Sequence, residues 1–165
     1  MLPPFYQTIL TKYLSNTQLI TLKMLVWLLQ NQKQVRIERL AATLPLPIQQ
    51  NSRRRHLQRF LNSKALSVVL LWFPIIEEIL SRLLKPQSQL IIVLDRTQWK
   101  ENNILMVSVI YQKRALPIFW CLLNKDGCSN LQEQQKVLRP VIRLLKHYHL
   151  VVIGFLEFHG IELAS

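Results

Sequence analysis

The chain changes hydrophobic period once, and that switch constrains its fold more than any other feature. Before Lys85 apolar residues recur at helical spacing, as in Leu22, Leu25, Val26 and Leu29. After Ser88 they come in short β-branched runs such as Leu90-Ile91-Ile92-Val93-Leu94. With 165 residues, half of them hydrophobic, the chain can build one ordinary domain or two small ones. The expected class is α+β: a helical region over residues 1–85, then a mixed region over 89–165. Lys85-Pro86-Gln87-Ser88-Gln89 is the most linker-like segment between them.

Four helices are expected in the first region. Thr17 can cap one over residues 19–29, apolar nearly all round and hence buried. A second fits residues 34–44 and ends at Pro45-Leu46-Pro47, because the residue before a proline leaves the helical region. A third starts at Ser52 and turns Leu57, Phe60 and Leu61 to one face. A fourth, broken by Pro74, covers residues 65–84. The second region reads as strands over 89–95, 104–111 and 115–123 in an antiparallel meander, with Asn102-Asn103 as the first turn. A helix over 131–148 and a fourth strand over 150–154 follow, and a further helix can start at Gly160.

Charge falls unevenly across the two regions. Residues 1–76 carry ten Lys or Arg and a single acid, Glu38, whereas residues 77–165 carry eleven bases and eight acids. The total of +12 suits a polyanionic partner, either nucleic acid or an acidic membrane surface. Insertion into a membrane is not expected. The longest greasy stretch, residues 65–76, contains Ser67 and Pro74 and falls short of the roughly 20 residues of a span. Met1-Leu2-Pro3-Pro4-Phe5-Tyr6 lacks the charged start and apolar run of an export signal, so a soluble cytoplasmic protein is expected. Two cysteines are too few for a disulfide scaffold; Cys121 reads as a core residue and Cys128 as a loop thiol.

Two short helices with a sharp turn, the second heavily basic, form a helix-turn-helix-like pattern. The informative run is Ser52-Arg53-Arg54-Arg55-His56-Leu57-Gln58-Arg59. Three arginines in a first turn oppose the helix macrodipole, so intrinsic helix stability does not explain them. A phosphate or base partner would. Arg53, Arg54, Arg55 and Arg59 are therefore the candidate DNA contacts, with Lys64 peripheral and Arg55 and Arg59 on one face. A solvated basic surface or an RNA contact remains open.

In the second region the order β-β-β-α-β, with Asp95 at the end of the first strand, is how a ribonuclease-H-like fold opens. A carboxylate there can ligate Mg²⁺ for phosphoryl chemistry, or serve as a turn residue or cap.

Leu94-Asp95-Arg96-Thr97-Gln98-Trp99, and later Val152-Ile153-Gly154 with Glu157-Phe158-His159-Gly160, resemble the bacterial cut-and-paste transposases of the insertion-sequence-four family. The resemblance runs from about residue 15 onward. It implies a helical region that binds DNA ends, followed by a ribonuclease-H-like core in which two acids of the Asp type and a Glu hold two Mg²⁺ ions. Asp95 matches the first acid and is the candidate catalytic and metal-binding residue. The second acid belongs directly behind Gly154, in a Gly-Asp-Arg-Glu-Phe word that here reads Gly154-Phe155-Leu156-Glu157-Phe158. Glu157 lies about 6.6 Å along an extended strand from position 155, too far to stand in. His159 and Glu162 read as supporting or surface groups. The third acid belongs to a helix beyond Ser165.

The expectation is thus an incomplete core and a transposase fragment crippled in its Mg²⁺-dependent chemistry. Its expected partners are double-stranded DNA at insertion-sequence ends, and a second copy or the intact transposase. Three other readings stay open: a non-catalytic DNA-binding inhibitor of the intact transposase, a metal-dependent nuclease using Asp95, or a decayed product.

Overall fold

A proline pair opens the first helix of the computed structural model, which describes residues 2–154. α1 spans Pro4–Leu10, with Pro4 in the first turn, where a missing N–H costs nothing. Two turns of chain carry too little apolar repetition to betray this helix in the sequence. α2 spans Asn16–Gln32 and is capped by Ser15, not Thr17. The Ser15 hydroxyl accepts from the Gln18 N–H at 3.3 Å, and the Gln18 side chain accepts from the Ser15 N–H at 2.9 Å. This reciprocal box satisfies two orphan donors at once, which a Thr17 cap could not. α2 ends at Lys33, in the left-handed region at φ 50°. Its burial is one-sided. Leu19, Thr21, Leu25 and Leu28 are buried, while Ile20 and Trp27 on the other side are about half exposed.

α3 (Ile37–Thr43) and α4 (Gln50–Leu61) complete a three-helix cluster. Leu25 and Leu28 of α2 meet Leu40, Ala41 and Leu44, and Leu57 and Phe60 of α4, in one buried core. Residues 44–49 join α3 to α4, with Pro45 and Pro47 preventing helical continuation. Beyond α4 the chain makes a π-helical turn, Val68–Trp72, in which the Phe73 N–H donates to the Val68 carbonyl. α5 (Phe73–Leu83) follows directly. Pro74 lies at its start, where no N–H is required, so the expected break is a change of helical pitch. The contacts divide the chain into two compact units between Ile75 and Ile76, within α5.

The second unit is built on a four-stranded mixed sheet in the order β3-β2-β1-β4. β1 (Gln89–Trp99) runs past Asp95 and pairs antiparallel with β2 (Asn102–Tyr111). The turn is Lys100-Glu101, so Asn102 and Asn103 are strand residues. β2 pairs antiparallel with β3 (Arg114–Leu123) through the two-residue turn Gln112-Lys113. Both turn residues have positive φ, 47° and 64°, the geometry of a type I′ hairpin built without its preferred Asn-Gly. A register shift opposite Val107 and Ser108 accommodates Pro117 on β3, an edge strand that tolerates a missing donor. β4 (His149–Gly154) lies on the other edge, parallel to β1.

Between β3 and β4 runs α6 (Leu131–Leu144), capped by an Asn130–Glu133 box and packed on β2 and β3. The Lys125 ammonium, 2.8 Å from Glu133, and the Asn130 N–H hold the Glu133 carboxyl below its ordinary range. The loop before α6 is pinned by buried Asn103, whose amide donates to the Lys125 and Gly127 carbonyls at 3.0 and 2.9 Å. Leu90, Ile92 and Leu94 of β1 share the buried face with Leu105, Val107 and Val109 of β2, as do Val137, Leu138 and Val141 of α6. The linker-like segment is tied down within this unit: the Gln87 N–H donates to the His147 carbonyl and the His149 N–H to that of Ser88. Among the described residues no helix is long and apolar enough to cross a membrane.

Candidate nucleic-acid interface

The arginine run on α4 separates into three kinds of environment. Arg53 turns back onto the protein. Its Nε donates to the Ile48 carbonyl at 2.8 Å and its Nη1 to the Ala42 carbonyl at 3.1 Å. One guanidinium thus ties the end of α3 to the 44–49 connection. Its positive charge also sits at the negative end of the α3 dipole, so an arginine unfavourable to its own helix is favourable to the neighbouring one. Arg54 reaches Glu38 of α3, with Nε 3.2 Å from the carboxylate and both side chains well exposed. α4 begins at Gln50, two residues before the expected start at Ser52, so the three arginines occupy its fourth to sixth positions and not its first turn, and tertiary partners account for two of them.

Arg55 and Arg59 differ. Both are exposed, and among the described residues neither has an acid partner. They lie one helical turn apart, and with Ile48, Ser52, His56, Gln58 and Asn62 they line a groove of about 680 Å³. Lys64 is exposed beyond the C-terminus of α4 and does not line it. The spacing 55, 59, 62 follows one helix face, so Gln58 and Asn62 were within reach of sequence reasoning that attended only to charge.

His56 is the groove residue whose environment the sequence concealed. Its Nε2 lies 2.9 Å from the hydroxyl of Thr21 on α2. That hydroxyl donates its one hydrogen to the Thr17 carbonyl, also at 2.9 Å. Both contacts of this hydroxyl are satisfied when it accepts from a proton on His56 Nε2, the assignment that leaves Nδ1 as the ring's other nitrogen. Thr21 is 2% exposed, so the imidazole is anchored on its inner side to a buried, fully committed hydroxyl.

In the second unit Asp95 lies within β1, exposed, with Met106 as its cross-strand partner. Strand alternation puts it on the opposite face from Leu94 and α6, together with Ile91, Val93, Trp120 and Leu122. Asp95 is the sole acid in the four strands, and among the described residues no three His, Cys, Asp or Glu converge. Among the described residues Asp95 thus offers one carboxylate beside the Met106 thioether, which does not fit the oxygen set that Mg²⁺ requires. Phe155, Glu157, His159 and Glu162 lie outside the described residues. Cys121 is half-buried on β3, where burial pushes its thiol up, opposed by Lys136 and aided by Glu133. Cys128 is exposed in the loop before α6.

Comparison of the chain with protein-family models, with curated proteins and with solved structures finds no match.

Proposed function

We propose that the chain is a DNA transposase fragment that binds duplex DNA at insertion-sequence ends through α4 and does not cut it. The observation that carries the binding is the pair Arg55 and Arg59, exposed, one turn apart and without an acid partner among the described residues. Two cations held this close repel each other and gain nothing inside the protein, whereas a phosphate backbone satisfies both. The strongly basic composition of residues 1–76 supports the same ligand. α3 and α4 are joined by more residues than the three or four of a minimal helix-turn-helix, so the binding module is read as the whole three-helix cluster.

The transposase half rests on the resemblance around Asp95. It is supported by the sheet: three antiparallel strands, a helix, and a fourth strand parallel to the first is the opening of a ribonuclease-H-like core. Two-metal phosphoryl transfer needs several carboxylates to hold both cations, and Asp95 supplies one.

Fluorescence anisotropy of the full chain on labelled duplex DNA, over a salt series, tests the binding. Arg55→Ala with Arg59→Ala removes two phosphate contacts and flattens the slope of log K against log salt by about 1.8. An unchanged slope overturns the assignment. Incubation of the same DNA with Mg²⁺ or Mn²⁺ tests the chemistry: nicking that disappears in Asp95→Ala would refute the non-cutting state and favour a nuclease.

A further inference from the structure

We infer that His56 is a proton-linked third ligand for the DNA phosphate held by Arg55 and Arg59, so that binding at the α4 groove takes up a proton. The inference rests on the DNA-binding reading and adds to it a ligand atom and a pH dependence. Its basis is the hydrogen-bond chain Thr17–Thr21–His56. With the Thr21 hydroxyl donating to the Thr17 carbonyl and accepting from Nε2, the arrangement that satisfies both contacts, the neutral ring keeps Nδ1 as an acceptor. A bare acceptor beside a phosphate oxygen is repulsive. Protonation turns Nδ1 into a charged donor, the third in a groove that already offers two guanidinium forks.

The surroundings set the sign. On α4 the charged groups lining the groove are Arg55 and Arg59, both cationic. α2 presents Thr21 to the ring, and that hydroxyl does not titrate in this range. The charged residues of α2 and α3 do not line the groove: Lys23 is bonded to Gln7 and Glu38 to Arg54, and Arg39 lies outside it. Among the described residues no carboxylate lines the groove. A bound phosphate supplies the missing negative charge, and protonation and binding then favour each other. Affinity therefore rises as pH falls. The contact of Nε2 with the buried Thr21 hydroxyl favours this ring position.

The test uses the full chain and a short fluorescein-labelled DNA duplex at constant salt, from about pH 8 to about pH 5.5. Binding is expected to tighten roughly tenfold across that range. His56→Gln keeps an amide donor for Thr21 but cannot take a proton, and its affinity should be flat with pH. Calorimetry of the unaltered chain in buffers of differing ionisation enthalpy gives a second measure, an uptake of up to about one proton per duplex site. Equal pH slopes in the unaltered chain and His56→Gln would overturn the inference, as would zero proton uptake. The two readings fail differently. If Arg55→Ala and Arg59→Ala still weaken binding while pH has no effect, the His56 role alone is lost. If those arginine changes leave binding intact, the DNA reading falls as well.

Discussion

Arg53 and Arg55 are two residues apart on one helix, and the structure assigns them opposite consequences. Replacing Arg53 with Ala removes two hydrogen bonds from a charged donor to main-chain carbonyls, at 2.8 and 3.1 Å. Bonds of this kind contribute about 1.5–3 kcal/mol each when sheltered. Both are open to solvent, so water recovers much of the loss and about 1 kcal/mol per bond is the better figure. Loss of the charge at the end of α3 adds roughly 0.3–0.5 kcal/mol. The total, about 2 kcal/mol, corresponds to some 10 °C in the melting of a unit this small. Arg53→Lys should recover less than half, since an ammonium cannot fork to both carbonyls. Arg54→Ala should cost under about 0.5 kcal/mol, because its ion pair with Glu38 is exposed. Thermal melting by circular dichroism, with amide hydrogen exchange to localise the loss to α3 and α4, measures all three. Arg53→Ala melting no lower than Arg54→Ala would refute the stapling role and return Arg53 to the candidate DNA contacts.

Four further outcomes are expected. Replacing Gln112-Lys113 by Asn-Gly relieves two strained left-handed residues and should stabilise the second unit by about 1 kcal/mol, read from urea midpoints. Cys128, exposed, should be alkylated well before Cys121, whose thiol is raised by burial, as peptide mass mapping over time will show. Glu133 is held below its ordinary range, so its contribution to stability is full above about pH 4.3, the unfolded value, and is lost as pH falls through the lower folded value. Acid melts of Glu133→Gln should lose part of that dependence. Among the described residues β4 is an edge strand, with Val151, Val152 and Ile153 about two-fifths exposed and no Lys or Pro within it, so the chain should self-associate at high concentration. Val152→Lys should reduce this in sedimentation velocity; unchanged association would place the contact elsewhere.

Periodicity and turn chemistry act over a few residues, and what depends on them could be read without coordinates. The α+β order, the three-strand meander, α6 and most of the apolar faces of α3 and α4 follow from apolar spacing. So did the basic helix that carries the candidate site. Leu61, expected on the buried face of α4, and Val35, expected inward on the second helix, are exposed, Val35 because α3 starts only at Ile37. Local boundaries were less legible where two caps compete: Ser15 outranks Thr17 because Gln18 completes its box, a choice that depends on a side chain three residues away. The pairing of β4 beside β1, and in parallel, needed the tertiary structure, since it joins strands separated by the whole meander and α6. The sorting of the arginines needed it most. Charge count treats Arg53, Arg54, Arg55 and Arg59 alike, but a guanidinium is spoken for or free according to which carbonyls and carboxylates the fold brings within 3 Å or so of it. Ala42 and Ile48 claim Arg53, Glu38 claims Arg54, and Arg55 and Arg59 are left for a ligand because α4 turns them away from every acid among the described residues.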